Sequence, residues 1–138
     1  GDRARLQALV DAERLRASGR WWRLLWLQGL SRRVHVDESL LHYIVQIVHA
    51  TRHAGDYLPQ EQARCLEYGA SPRATIAFVE AACAHALMHG RDHVIPDDVR
   101  AMRHMILRHR LILTFEAVAT RVPVEEIIDG IFGAVPTP

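Results

Sequence analysis

The chain has 138 residues, of which 49% are hydrophobic and 24% are charged, values typical of one soluble globular domain. Its formal net charge is +1 with acidic and basic residues interleaved, so we expect no broad surface for a nucleic-acid backbone. No apolar run reaches membrane-spanning length, and two cysteines without a secretory-type leader predict the cytoplasm rather than a disulfide-stabilised fold. Because the sequence starts with Gly1 rather than Met, we expect it to be a piece of a longer protein.

The hydrophobic pattern is helical almost throughout and predicts an all-α helical bundle. A charged helix is expected over residues 2–17, with a thin apolar stripe at Leu6, Leu9 and Val10. An apolar, aromatic helix is expected over residues 20–30, ending at Gly29 or Ser31. The second helix contains three tryptophans: Trp21, Trp22 and Trp26. Since two of them are adjacent and cannot face the same core, the pattern leaves core and interface positions equally open.

Residues 34–36 are predicted to be a short extended link, after which Asp37 caps a strong helix that runs to about His53. The expected buried face of this helix consists of Leu40, Leu41, Ile44, Val45, Ile47 and Val48. Its expected outward stripe consists of His42, Gln46, His49 and His53. Residues 55–69 are the least regular part, which we predict to be a loop with one helical turn around residues 60–66.

Three further helices are predicted in the second half of the chain. The first opens at Ser71 and ends at Gly90, and because it is apolar or alanine on nearly every side, we expect other helices to surround it. The second starts at Pro96, followed by two aspartates, and runs to about Arg110, burying Val99, Met102, Ile106 and Leu107. The third covers residues 123–132, with Val124, Ile127, Ile128 and Ile131 inward.

The sequence GASPR at residues 69–73 contains one residue that is unexpected at the start of a helix. Ser71 can cap the helix and Pro72 suits its first position, but Arg73 adds a positive charge where the helix dipole is already positive. Relative to an acidic residue, this placement costs up to about 1 kcal/mol. Gly69 would let the backbone approach a ligand, and the free N–H groups of the first turn point outward. The pattern fits either a solvated arginine or a site for a phosphate or carboxylate.

Histidine pairs with i,i+4 spacing raise the possibility of a metal site, because this spacing places two imidazoles on one helix face. The pairs are His49 with His53, His85 with His89, and His89 with His93. A tight site needs a third and usually a fourth ligand, yet the cysteines lie in no CxxC spacing and no HExxH motif occurs. A hydrated helix face accounts for the histidines better, so we predict no metal site.

Catalytic motifs are absent from the sequence. It contains no GxxxxGK[ST] phosphate loop, no GxSxG, and no cysteine with an evident histidine and acid partner. We therefore expect the chain to catalyse no reaction on its own.

Arg52, one turn beyond the apolar face of its helix, is a second candidate for an anion at a domain boundary. The alternative is an arginine whose stem covers apolar surface while its head stays in water.

Five segments carry a pattern that extends over most of the chain. They are HVDESLLHYIVQIVHATR (35–52), YGASPRATIAFVEAACAHAL (68–87), HGRDHVIPDDVRAM (89–102), LRHRLIL (107–113) and VPVEEIIDGIFGAVPTP (122–138). Their order and spacing resemble the C-terminal lid of MoxR-type AAA+ ATPases. The resemblance covers residues 33–138, so we expect one compact lid there and, over residues 1–32, a helical link from the absent ATPase core.

The resemblance implies that Arg73 is a sensor-2 arginine, with Gly69 and Ser71 beside the nucleotide. In that family a separate α/β domain holds ATP with Mg in its Walker motifs, and the lid closes over the phosphates. Arg73 would then contact the γ-phosphate and couple hydrolysis to lid movement. Since the Walker motifs are absent here, the chain alone is expected to be inactive. The usual threonine before Pro-Asp-Asp is Ile95, which removes a good helix cap but not the helix.

The same resemblance implies how the whole protein would work. It would be a chaperone-like ATPase in a hexameric ring, in which the lid contacts the AAA+ core and neighbouring subunits. A von Willebrand factor A domain protein would be a partner in the maturation of metalloenzymes or complexes. Nucleic acid and membrane are not expected as partners.

Two other classes of function stay open on the sequence. A nucleic-acid-binding module would use the helix that opens at Ser71 as a recognition helix, although that helix offers few side chains that read bases. A structural interaction domain without a nucleotide role, histone-like in its Pro-Asp-Asp helix start, is the other. The apolar excess near Trp22 also predicts self-association of the isolated chain.

Overall fold

The computed structural model describes residues 3–7 and 29–138, and most of these residues are helical. Residues 3–7 and 29–31 belong to helical segments. The following elements are α1 Glu38–Arg52, a 3₁₀ turn Ala54–Asp56, α2 Gln60–Ala63, β1 Leu66–Tyr68, α3 Arg73–Met88, α4 Pro96–Ala101, α5 Arg103–Leu107, β2 Ile112–Leu113, α6 Phe115–Ala119 and α7 Val124–Ala134. The predicted all-α class is confirmed, with a two-stranded sheet added.

The hydrophobic core lies among the long helices. Helix α3 packs against α1, α4 and α5, while α7 packs against α1 and α5. The largest fully buried apolar side chains are Tyr43, Ile44, Ile47, Phe78, Leu107, Ile127, Ile128 and Ile131. Ile127, Ile128 and Ile131 are among the residues predicted to face inward in the last helix, and their burial confirms that prediction. Tyr43 meets Phe132 edge to face, with ring centroids 6.3 Å apart, which joins α1 to α7.

Helix α1 begins and ends where the sequence predicts. The Asp37 carboxylate accepts a hydrogen bond from the Ser39 N–H at 3.1 Å, and His53 is the C-cap. The predicted buried face is wrong at two positions, since Leu41 and Val45 are 39% and 50% exposed. The buried stripe is rotated away from them and consists of Leu40, Tyr43, Ile44, Ile47, Val48, Ala50 and Thr51.

Helix α3 ends at the predicted glycine. Gly90 has φ +71°, and its N–H donates to the Leu87 carbonyl at 3.0 Å. The Arg91 N–H donates to the Ala86 carbonyl at 2.9 Å, which completes a Schellman motif. The prediction that helices surround α3 is wrong on one side, where an exposed stripe consists of Arg73, Ile76, Glu80, Ala84 and Met88.

The segment predicted as one helix from Pro96 to Arg110 is divided into α4 and α5 at Met102. The Met102 N–H bonds the Val99 carbonyl three residues back, at 3.2 Å, and this tighter turn interrupts the α-helical pattern. Helix α5 also ends at Leu107, before the predicted end at about Arg110. Val99, Ile106 and Leu107 are buried as predicted, whereas Met102 is half-buried.

The strands and α6 were missed by the sequence analysis. β1 and β2 are antiparallel, with Leu66 opposite Leu113 and Tyr68 opposite Ile112. Strands of two or three residues are too short to show an alternating pattern. Helix α6 has five residues, and the Thr114 hydroxyl caps it by accepting a hydrogen bond from the Ala117 N–H at 3.2 Å.

The N-terminal predictions are tested only in part. The helical residues 29–31 end at Ser31, one of the two predicted ends, and Leu6 is buried as its stripe predicts. In the predicted link at residues 34–36, Val34 lies in a bend and His35 forms a parallel bridge with His93.

Residues 1–2 and 8–28 lie outside the described residues. The rest of the two predicted N-terminal helices, and the positions of Trp21, Trp22 and Trp26, therefore remain predictions. Within residues 3–7 and 29–138, we find no helix that is long and apolar enough to cross a membrane.

Candidate functional site

The candidate arginine lies at the N-terminus of the long helix α3. Arg73 is the first residue of α3, its side chain is exposed, and it has no ion-pair or hydrogen-bond partner among the described residues. The predicted hydroxyl cap is wrong. The Ser71 side chain accepts no hydrogen bond from a described group, and its carbonyl instead accepts one from the Ala74 N–H at 2.9 Å. Pro72, with φ −55° and ψ −22°, is already helical, as predicted for the first position.

The backbone on either side of Arg73 is held by buried residues. Ala70 and Ala74 are both 0% exposed, so the main chain enters and leaves this turn inside the core. The Arg73 N–H itself donates to no described group. The result is an exposed guanidinium on a fixed main chain, next to an N–H group of the first helical turn.

Gly69 makes a close contact within the chain that was not predicted. A Cβ at this position would collide with the carbonyl group of Thr51 and lie 2.6 Å from the amide nitrogen of Arg52. The glycine therefore lets the segment before α3 pack directly against the backbone at the end of α1. The approach to a ligand that was expected at Gly69 stays a prediction.

A buried threonine that the sequence analysis missed makes the hydrogen bonds at this junction. Thr51 is 1% exposed, and its Oγ1 accepts a hydrogen bond from the Ala70 N–H at 3.0 Å. The same hydroxyl donates to the Val48 carbonyl at 2.6 Å. A threonine in the last turn of a helix commonly bonds backward in this way, so the residue alone gives no signal of its second partner.

These contacts define what the site can bind. An exposed guanidinium presents several N–H donors in a planar fork, which suits the oxygens of a phosphate or carboxylate. The positive end of the α3 dipole favours the same kind of ligand. The residues present therefore fit an anion, and no described side chain already neutralises Arg73.

A second cluster of charged groups fixes the start of α4 against the end of α3. The Asp98 carboxylate is 0% exposed and accepts hydrogen bonds from the Arg91 guanidinium at 2.5 and 2.7 Å. It also accepts from His85 Nδ1 at 2.6 Å and from the Ile95 N–H at 2.8 Å. The helix keeps its position without the usual threonine cap, as predicted, because Asp98 supplies the bond to the Ile95 amide.

The cluster also sets the charge of Asp98. Burial alone would raise the pKa of this carboxyl, but the hydrogen bonds from Arg91, the Ile95 amide and His85 outweigh burial and lower it. Asp98 is therefore ionised at neutral pH and acts as the anchor of a structural ion pair. All of its acceptor capacity is directed at these protein groups, so nothing in the cluster points to a ligand.

The histidines of the three i,i+4 pairs contact each other or an aspartate. His49 and His53 stack with ring centroids 4.2 Å apart, and His85 and His89 stack at the same distance. His93 instead contacts its neighbour Asp92 at 2.9 Å. In the part of the chain that the structure describes, no group of three or more His, Cys, Asp or Glu side chains could hold a metal ion.

The second candidate, Arg52, is exposed at the last residue of α1 and has no partner among residues 3–7 and 29–138. A cation at this end of a helix is favoured by the dipole, in contrast to Arg73. The helix dipole therefore accounts for the position of Arg52 but not for that of Arg73.

Comparison with known proteins shows where this architecture occurs. The family described as AAA lid domain matches residues 59–131, more than half of the chain. The chain belongs to the AAA lid domain family. The matched region includes the Gly69–Arg73 turn, the Asp98 cluster and most of α7, so the features described above lie inside the family's fold.

The relatives identify the lid as one of the MoxR type. Chaperone MoxR1 of Mycobacterium tuberculosis is 37% identical over 115 residues, which cover 83% of this chain and 30% of that protein. Protein MoxR of Paracoccus denitrificans is 33% identical over 115 residues, covering 80% and 34%. A crystal structure of a putative ATPase from Cytophaga hutchinsonii superposes with a TM-score of 0.76 and 36% identity, covering 80% and 33%. The lid thus spans about a third of the length of these relatives.

Proposed function

We propose that this lid belongs to an ATP-hydrolysing MoxR-type protein and that Arg73 is its sensor-2 arginine, which contacts ATP phosphates held by a separate AAA+ core. The observation that carries the proposal is the state of Arg73. It is an exposed, unpartnered cation among the described residues, and it sits at the helix end that disfavours a cation. A polyphosphate beside it would reverse that penalty.

The proposed mechanism follows from the fixed backbone of this turn. Because Ala70 and Ala74 are buried, the Arg73 side chain can extend toward a phosphate without the main chain having to become ordered. The guanidinium would neutralise part of the charge on the γ-phosphate and orient it for attack by water. Loss of that phosphate removes the main attraction between lid and nucleotide, so hydrolysis would be coupled to lid movement.

The residues of the lid fit the phosphate part of ATP rather than its Mg ion. Arg73 and the N–H group of its turn are donors and carry positive or partial positive charge. No carboxylate cluster able to hold a metal exists in the described part of the chain. In this proposal the Mg ion would be held by the core domain, where it would supply positive charge to the phosphates. Gly69 and Ser71 contribute only main-chain atoms near the nucleotide.

The wider assignment rests on the family and on relatives that carry the names chaperone MoxR1 and MoxR. We propose that residues 33–138 form one unit linked to the core by residues 1–32. The whole protein would assemble as a hexameric ring in the cytoplasm. It would act as a chaperone in the maturation of metalloenzymes or complexes, together with a von Willebrand factor A domain protein.

The alternative of a nucleic-acid-binding helix finds less support. The exposed stripe of α3 offers Ile76, Glu80, Ala84 and Met88 beyond Arg73. A recognition helix needs donors and acceptors that reach base edges, and an acidic residue among apolar ones meets phosphate unfavourably. A single cation at the end of the stripe suits one anionic group better than a nucleic-acid backbone.

The experiment that tests the proposal measures ATP turnover by the full-length protein carrying Arg73→Ala. We expect kcat to fall by ~10-fold or more, because one directed donor to transition-state charge is lost. Arg64→Ala is the matched control, since Arg64 is also an exposed arginine without a partner among the described residues, and it should keep wild-type turnover. Unchanged turnover in Arg73→Ala would overturn the sensor-2 assignment.

A further inference from the structure

The contacts of Thr51 point to a role beyond the stability of α1. Its hydroxyl lies at the end of α1 and accepts a hydrogen bond at 3.0 Å from the N–H of Ala70, which is 19 residues later in the chain. Ala70 is fully buried, so no water can replace Thr51 as the acceptor for this N–H group. The direction of the hydroxyl is fixed as well, since it donates to the Val48 carbonyl at 2.6 Å.

A second contact holds the same segment in place. The backbone of Gly69 packs so closely on Thr51 and Arg52 that a Cβ would collide with the Thr51 carbonyl group. The hydrogen bond therefore sets the position of the chain along the end of α1, and the glycine contact sets its distance from α1. Three residues after Ala70, with Pro72 stiffening the path, the chain reaches Arg73.

We propose that Thr51 is a positioning residue for the phosphate contact made by Arg73. This inference rests on the function proposed above and deepens it by naming the residue that holds the arginine in register. The hydroxyl touches neither nucleotide nor Arg73. It holds the main chain before α3, so that the backbone of Arg73 keeps one position relative to α1.

Such a role has a kinetic consequence that a purely structural role lacks. If the guanidinium is displaced by a small distance, it still attracts ATP but stabilises the transferring phosphoryl group less well. A misplacement of about 1 Å at a reacting centre can cost ~100-fold in rate. Loss of the Thr51 hydroxyl should therefore lower kcat while KM for ATP changes little.

The experiment uses the full-length ATPase and a double-mutant cycle between Thr51 and Arg73. Thr51→Val keeps the shape of the side chain and removes the hydroxyl, and it should lower kcat by ~10-fold with less than a ~2-fold change in KM. Thr51→Ser keeps the hydroxyl and should restore most of the turnover. In an Arg73→Ala background, Thr51→Val should have no further effect, because it acts only through the arginine.

Control variants separate positioning from loss of fold. Thr120→Val removes another threonine hydroxyl, which donates to the Glu116 carbonyl at 2.9 Å at the end of α6, and it should leave turnover unchanged. The melting temperature of every variant is recorded, and Thr51→Ala serves as the hydroxyl-free variant if Thr51→Val does not fold.

The outcomes distinguish this inference from the proposed function. Slow turnover in Arg73→Ala with normal kcat in the folded Thr51 variants would overturn the positioning role alone. An equal loss from Thr51→Val in both backgrounds would also overturn it, since the effect would then be independent of Arg73. Normal turnover in Arg73→Ala would overturn the sensor-2 assignment and this inference together.

Discussion

The hydroxyl of Thr51 accepts a hydrogen bond from the N–H of Ala70 at 3.0 Å and so joins the end of α1 to the turn that carries Arg73. Both residues are buried, at 1% and 0% exposed. An exposed cation is thus mounted on a buried, hydrogen-bonded support. The exposed Arg73 thus follows a junction that buried contacts hold in place, and a binding residue for phosphate requires such a fixed backbone.

The packing of Gly69 against α1 gives a first prediction. Gly69→Ala should lower the free energy of unfolding by about 2 kcal/mol or more, because the new methyl group meets backbone atoms that cannot rotate away. Gly133→Ala is the control, since a Cβ at Gly133 meets nothing within 4 Å. In α7 it should stabilise by up to about 1 kcal/mol. Urea denaturation measures both, and similar stability of the two variants would show that the close approach at Gly69 is absent.

The buried ion pair at the start of α4 gives a second prediction. Asp98→Asn should destabilise the lid by about 3 kcal/mol, because it leaves the Arg91 guanidinium without its charged partner at a largely buried position. Asp97→Asn changes an exposed neighbour in the same helical turn and should cost less than about 1 kcal/mol. Equal losses in chemical denaturation would mean that Asp98 acts only through the helix dipole.

The same carboxyl predicts a pH dependence. The pKa of Asp98 in the folded lid is below its ordinary value of 3.8, so the unfolded chain binds the proton more readily. The stabilisation from Asp98 is therefore fully present above about pH 5 and is lost as pH falls through the folded pKa. The difference in unfolding free energy between wild type and Asp98→Asn should shrink between about pH 5 and pH 3. A difference that stays constant over this range would contradict the assignment.

The corrected orientation of α1 gives a fourth prediction. Ile44 is 0% exposed and Val45 is 50% exposed, although the two are adjacent in sequence and both were predicted to be buried. Ile44→Ala should destabilise by about 3 kcal/mol through the cavity that it leaves. Val45→Ala should change stability by less than about 0.5 kcal/mol. Equal, large losses in thermal or urea unfolding would place Val45 in the core as well.

Features set by neighbouring residues could be predicted from the sequence. The boundaries of α1, the start of α7 and the glycine end of α3 follow from caps, apolar spacing and backbone preferences, all of which act within a few residues. Arg73 was found in the same way, because its charge conflicts with the local helix dipole. These signals are complete within a single turn or helix.

Features set by distant residues could not be predicted. The hydrogen bond between Thr51 and Ala70 and the packing of Gly69 on α1 depend on how α1 meets the turn before α3, which no local pattern contains. The exposure of Leu41 and Val45 similarly depends on which sides of α1 are covered by other helices. The nucleotide role proposed for Arg73 came from the family resemblance, since the residue by itself was compatible with a solvated arginine.

The most direct test of the central claim, that Arg73 meets the terminal phosphate of ATP, is a comparison of two nucleotide affinities in the full-length protein. Binding of a non-hydrolysable ATP analogue and of ADP is measured by calorimetry for wild type, Arg73→Ala and the control Arg64→Ala. We predict that Arg73→Ala weakens the ATP analogue by ~10-fold, the loss of one charge-assisted contact, and leaves ADP within ~2-fold. Equal affinities of wild type and Arg73→Ala for the ATP analogue would contradict the claim.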